Sequence, residues 1–308
     1  MIREDFTFDS RDESTKIHAV RWVPEGEVKG VLQIIHGMAE HIDRYENVAK
    51  WFTQKGYVVT GEDHLGHGKS VKEGGTYGYF CDHDPATVVV RDVHRLKKMT
   101  EEKYKGVPYF VLGHSMGSFI MRNYMYRYGS GIKGAIVCGT ASQPKAVIAF
   151  GIFLSKLQSI LFGGKHPGEF INRLAFGDPK KIEKGHENDW LCTDKEVCDK
   201  FGADELCGFL FTVNGFYTMF SLIQRMQDPK NINKVPKDLP VKIISGTDDS
   251  VGNYGKGVVK AYESYKAAGI KDLEIKLYEG LRHEILNEPC QNEIFNELYE
   301  WMLDKIDK

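Results

Sequence analysis

Six short apolar runs constrain this chain more than any other feature: GVLQIIHG (30–37), GYVVTGEDH (56–64), PYFVLGHS (108–115), IKGAIVCG (132–139), LPVKIISG (239–246) and LEIKLYEG (273–280). Each is rich in Val, Ile, Leu or Tyr, and each ends in glycine or a polar turn. Several are continuously apolar, as strands buried on both faces are. Amphipathic stretches of helical period lie between them, among them RYENVAKWFTQKG, VVVRDVHRLKKMTEEKYKG, FIMRNYMYRYG and GKGVVKAYESYKAAG. The chain closes with NEIFNELYEWMLDKI, where Ile294, Leu298 and Met302 recur at helical spacing and Trp301 widens the face. Strand and helix in alternation predict an α/β fold, a mostly parallel central sheet flanked by helices on both faces. The opening segments EDFTFDS and TKIHAVRWVP are separated only by a short turn and predict an antiparallel start.

The alternation stops between residues 142 and 236, where no strand-type run occurs. That span is far too long for an ordinary connection. It predicts a helical insertion, with the core in residues 1–141 and 237–308 and a cap or lid in 142–236. Pro229, Pro236 and Pro240 mark the return. Insertions at the C-terminal edge of a parallel sheet lie over the ligand region, which is why a lid is expected. The most apolar part, AVIAFGIFLSKLQSILFGG, is interrupted by Gly151, Ser155, Lys156, Gln158 and Ser159, so no membrane span is expected. Its Phe150, Phe153, Leu154, Leu157 and Leu161 would line an acyl channel, touch a membrane surface or pack against the core.

Composition narrows the partners. The 308 residues carry a formal net charge of −2, so no basic field invites nucleic acid. The first residues, MIREDFTFDS, place charge where an export signal needs an apolar core, so a cytoplasmic location is expected. The six cysteines form no CxxC pair and no Cys/His zinc pattern, and reduced thiols are expected.

The chemistry centres on Gly113-His114-Ser115-Met116-Gly117, a G-x-S-x-G placed between an apolar strand and a helix. That context puts a nucleophilic serine on a sharp turn, with Gly113 and Gly117 allowing backbone to approach closely. The following helix points its N-terminus, and a favourable dipole, at an oxyanion. A serine hydroxyl needs a base within hydrogen-bond reach. His283, in YEGLRHEIL just past the last strand, lies at the same sheet edge; His114 reads as packing. An acid is expected after the preceding strand, and SGTDDSVG offers both Asp248 and Asp249. The oxyanion would be held by the backbone N–H of Met116 and, from the loop after an earlier strand, of Met38, with Gly37 letting that loop fold tightly. Glu40 and Arg44 are four apart and able to pair. The turn GEDHLGHGKS gathers Asp63, His64 and His67 without a matched ligand set, so it reads as a polar turn and not as a metal site.

Together, HGMAEHIDRY, DHLGHGKS, GHSMGS, GTDDSV and YEGLRHEILNE resemble the α/β-hydrolase superfamily, within it the monoacylglycerol lipase and lysophospholipase-like group of serine aminopeptidase-type hydrolases. The pieces follow the group's order over nearly the whole chain. NDWLCTDKEVCDK and LCGFLFT resemble the cap of bacterial members. The group's pattern is G-x-x-D, one residue, then an apolar one, which implies Asp249 as the acid and leaves Asp248 to stabilise the turn. Met38 stands where the group often has a smaller residue, and would narrow the acyl pocket.

The resemblance implies a serine carboxylic ester hydrolase that cleaves monoacylglycerol or lysophospholipid-like esters through an acyl-enzyme, with no metal or organic cofactor. Its partner is a small acyl ester; the cap offers peripheral membrane contact, and the oligomeric state is left open. Alternatives on the same fold are a short-chain or aryl esterase and a small-residue aminopeptidase. An alternative of another class is a non-catalytic hydrolase-fold binding protein, which would not react with a fluorophosphonate.

Overall fold

The computed structural model describes residues 1–176 and 188–306. Among these residues one sheet holds eight strands: β1 (Ile2–Asp9), β2 (Lys16–Val23), β3 (Gly30–Ile35), β4 (Tyr57–Glu62), β5 (Tyr109–His114), β6 (Gly134–Cys138), β7 (Val241–Gly246) and β8 (Leu273–Tyr278). The helices are α1 (Glu46–Gln54), α2 (Pro85–Lys103), α3 (Met116–Tyr128), α4 (Lys145–Phe162), α5 (Glu169–Phe176), α6 (Lys195–Ala203), α7 (Val213–Met226), α8 (Pro229–Ile232), α9 (Lys256–Ala267) and α10 (Gln291–Ile306).

The spatial order is β1-β2-β4-β3-β5-β6-β7-β8. The β1–β2 hairpin is antiparallel, and β2 meets β4 antiparallel. Every other pairing is parallel. The sheet is therefore mostly parallel, with the reversal confined to the N-terminal hairpin.

Strands β3 to β7 are buried at every residue because both faces are covered. Alternate side chains feed two cores. Val31, Ile35 and Val111 join α2, α3 and α9 on one face. Leu32, Phe110 and Ile244 join α1 and α10 on the other, where Ile294, Leu298, Trp301 and Met302 are buried as their spacing predicts. Each such apolar side chain stabilises the fold by roughly 1.5–3 kcal/mol. Strand β8 differs: it is one of the two edge strands, no residue in it is fully buried, and Lys276 is exposed. A charged, half-covered edge discourages further strand addition.

Helices α4 to α8 all lie between β6 and β7; residues 177–187 of this stretch fall outside the described ones. The interruptions in α4 do not break it. It runs 18 residues at a mean hydropathy of 1.5, long and apolar enough to cross a membrane by length and composition alone. Gly151 and Ser155 are instead its packing stripe. A Cβ at Gly151 would lie 2.7 Å from the Phe220 ring of α7, and the Ser155 hydroxyl bonds the Gly151 carbonyl at 2.7 Å. The opposite face is left bare: Phe150, Phe153, Ile160 and Leu161 are 57, 61, 81 and 62 % exposed.

Candidate active site

Strands β3, β5, β6, β7 and β8 end at one edge, and each delivers a residue there. Ser115 sits between β5 and α3 at φ 54°, ψ −123°, a conformation that a side-chain-bearing residue adopts only under strain. Its N–H donates to the Cys138 carbonyl at the end of β6, 3.0 Å away. The flanking glycines are required sterically. A Cβ on Gly113 would meet the Gly117 carbonyl at 2.3 Å, and a Cβ on Gly117 would meet the Ile35 carbonyl at 2.0 Å. The start of α3 is thus pressed against the end of β3. Gly37, just beyond β3, lies so close that a Cβ there would be 3.0 Å from Ser115 Cβ. Met116 opens α3, where a backbone N–H has no intrahelical acceptor.

Asp249 and His283 meet in the buried interior of this edge, at 0 and 1 % exposure. Asp249 Oδ1 lies 3.0 Å from His283 Nδ1 and accepts the Val251 N–H at 2.9 Å; its Oδ2 accepts the Ser245 hydroxyl at 2.8 Å. Burial opposes ionisation of Asp249, but the adjacent His283 and these hydrogen bonds outweigh it and lower the carboxyl to about 2. His283 Nε2 is buried and has no hydrogen-bond partner among the described residues. No hydrogen bond joins it to Ser115 Oγ among the described residues. Both groups nonetheless border the end of β6, since a Cβ on Gly139 would lie 3.1 Å from His283 Cε1.

Asp248 behaves differently from expectation. It is exposed, and among the described residues its side chain accepts only from the Thr247 hydroxyl, at 3.3 Å. The carboxylate that braces the turn is Asp249 itself, through the Val251 N–H. One acid therefore both shapes the turn and reaches the histidine.

A second ionic group lies behind the Gly37 loop. Arg44 pairs with Glu40, as the four-residue spacing predicts, at 2.5 Å. It also forks onto both oxygens of Glu284 at 2.7 Å, a partner 240 residues away in sequence. The other Glu40 oxygen accepts the Gly37 N–H and the Tyr45 hydroxyl. Burial raises the cost of both carboxylates, and Arg44 more than offsets it, so both stay below the usual glutamate range. His114 completes the group through the Tyr45 hydroxyl at 3.0 Å and the His283 carbonyl at 3.2 Å. Glu284 follows His283 directly in RHEIL, which is the one local hint of its role.

The stretch 188–208 is bonded onto this edge. The Glu284 N–H donates to the Leu191 carbonyl at 2.6 Å, and Arg282 donates to the carbonyls of Asp189 and Cys192. The Thr193 N–H and hydroxyl both donate to Glu288. Trp190, which residue patterning did not single out, lies with its ring centroid 5.3 Å from that of His283. His41 meets Asp204 at 2.8 Å, and Cys207 lies nearby, the three ligand-type atoms within 4.8 Å of one another. His41 and Asp204 satisfy each other, and burial holds the Cys207 thiol protonated. In the turn after β4, Asp63 accepts from the backbone of Ile42 and Lys69 at 2.8 Å and binds His18. All six cysteines are free thiols.

Residues 26–290 match the family model described as Hydrolase_4, serine aminopeptidase S33. The chain is 26% identical over 287 residues to a monoacylglycerol lipase of Mycolicibacterium smegmatis, covering 92% of each. It is 24% identical to a monoglyceride lipase of Homo sapiens, over 91% of this chain and 84% of that one. Among solved structures, a thermostable carboxyl esterase from Bacillus coagulans, crystallised with glycerol, superposes with a TM-score of 0.91 at 28% identity and 99% coverage of both chains.

Proposed function

Because the chain belongs to the serine aminopeptidase S33 family of α/β-hydrolases and is a hydrolase acting on esters, we propose that it cleaves mono-acyl lipid esters of the monoacylglycerol type through an acyl-enzyme. The observation that carries this reading is the buried His283 ring, fixed at Nδ1 by Asp249 and bare at Nε2, beside the strained Ser115 turn. In the proposed cycle Ser115 Oγ attacks the ester carbonyl as His283 Nε2 takes its proton. Asp249 orients the ring and stabilises the imidazolium. The N–H groups of Met38 and Met116 hold the oxyanion, with Gly37, Gly113 and Gly117 supplying the close backbone approach. His283 returns the proton to the leaving alcohol, and water then hydrolyses the acyl-enzyme. The cycle needs no cofactor.

Residues 142–236 serve as the cap in this reading. The bare face of α4, with Phe150, Phe153 and Leu161, meets the lipid surface from which the substrate comes. A short-chain ester is the second reading, favoured by the bulk of Met38.

A p-nitrophenyl ester series of rising chain length, run beside a monoacylglycerol and aminoacyl anilides, separates the readings. Turnover that rises with chain length and extends to the monoacylglycerol is expected. Preference for the shortest ester supports the second reading, and preference for an anilide overturns both. Fluorophosphonate labelling checks the nucleophile: it is expected in the native protein and absent in Ser115→Ala.

A further inference from the structure

Trp190 is placed with more care than packing requires. Its neighbours Leu191 and Cys192 are buried in a small apolar core with Cys198 and Phe201. Trp190 itself is 41 % exposed and belongs to none of the buried clusters. Its indole instead lies tilted over the His283 ring, at 36° and 5.3 Å between centroids. That separation is within the range where aromatic pairs attract.

The placement is held from both sides. Arg282 and Glu284 flank His283, and Asp189 and Leu191 flank Trp190. The Arg282 guanidinium donates to the Asp189 carbonyl, and the Glu284 N–H donates to the Leu191 carbonyl. Glu288 then ties the Arg282 N–H, at 2.9 Å, to Thr193. The residues before and after one ring are thus bonded to the residues before and after the other. The loops that carry the two rings are joined directly by hydrogen bonds.

We propose that Trp190 is a specificity-determining residue that walls the alcohol side of the site. This rests on the acyl-enzyme reading above. With Nδ1 occupied by Asp249, Nε2 is the atom that hands a proton to the departing alcohol and takes one from the incoming water. The group entering or leaving must therefore stand beside Nε2, on the ring that Trp190 covers. A rigid indole there presents an apolar surface to the carbon skeleton of an alcohol and excludes loosely held water. It favours an alcohol over water as the partner of the acyl-enzyme, and by reversibility it favours esters of that alcohol.

The test is the partition of a common acyl-enzyme. The native protein, Trp190→Phe, Trp190→Leu and Trp190→Ala are given one p-nitrophenyl ester with glycerol or methanol at rising concentration. The ratio of new ester to free acid is read from the products. This ratio is independent of how much protein is folded, so a poorly folding variant still reports. The expected result is a fall in the glycerol ratio on the order of three- to tenfold in Trp190→Ala, the range an aromatic contact supplies. Trp190→Leu should fall as well, while Trp190→Phe stays near the native value. Equal ratios in all four proteins would overturn the proposal, as would native product that is acid alone at every alcohol concentration. Ser115→Ala is run alongside: ester and acid still forming there at the native rate would instead sink the acyl-enzyme reading.

Discussion

Two buried ionic groups flank the Ser115 turn, and they are built to opposite rules. In the Glu40–Arg44–Glu284 group every carboxylate oxygen is engaged, by Arg44, Tyr45, Asn287 or the Gly37 N–H. In the Asp249–His283 pair the acid is equally saturated, but the array stops at a bare Nε2. Burial and charge are common to both. What differs is the leftover valence and its place at the sheet edge. A bare atom alone is not enough, since the buried Glu62 carboxylate also lacks a hydrogen-bond partner among the described residues. His283 combines the bare atom with a border on the end of β6, where Ser115 is anchored. A closed network holds loops in place; an open one has a bond left to offer a substrate.

The contrast breaks first at Asp249. Asp249→Asn keeps the size of the side chain but exchanges an acceptor for an amide, so the ring loses its fixed tautomer. kcat on a soluble ester should fall about 10⁴-fold. The same variant reports on stability. The folded-state carboxyl is lowered to about 2, so its contribution is present above the ordinary aspartate range and is lost as pH falls toward 2. The native protein should lose on the order of 2 kcal/mol through this group between about pH 4 and pH 2. Denaturant melts at several acid pH values should show a smaller loss over that window in Asp249→Asn. Unchanged turnover would remove Asp249 from the chemistry.

Arg44 is the matching break in the closed group. Arg44→Ala leaves two buried carboxylates without their cation, which typically costs 3–5 kcal/mol, roughly. Denaturation should show that loss, while turnover per folded molecule falls far less than in Asp249→Asn. A variant as stable as the native protein but as inactive as Asp249→Asn would erase the distinction between the two groups.

What could be read from the sequence follows the range of each signal. The buried strands, the Ser115 turn with its two glycines and the i, i+4 pair of Glu40 and Arg44 are local patterns, and their spacing is physically sufficient. So is the placement of a histidine after the last strand. Glu284 joining Arg44 is a tertiary contact that no spacing encodes, and the same holds for Trp190 over His283. The polar residues of α4 are a related case. Gly151 and Ser155 look like interruptions along the chain, and become a packing stripe only once α7 lies against them. The Asp248–Asp249 doublet misled in a narrower way: the assumption that two acids divide two tasks gave the turn to the wrong one.

Asp248 therefore carries the smallest prediction and the cleanest control. Its side chain is exposed and accepts a single long hydrogen bond from Thr247, while its backbone N–H donates to Leu281 at 2.9 Å whatever the side chain is. Asp248→Asn preserves that backbone bond and removes only a solvated charge. Stability should change by no more than about 0.5 kcal/mol, and turnover should stay near the native value. Adjacent residues of identical type would then differ by orders of magnitude in consequence, because one carboxylate faces water and the other faces His283. A destabilised Asp248→Asn with native turnover would return the turn-bracing role to Asp248 and leave Asp249 with the histidine alone.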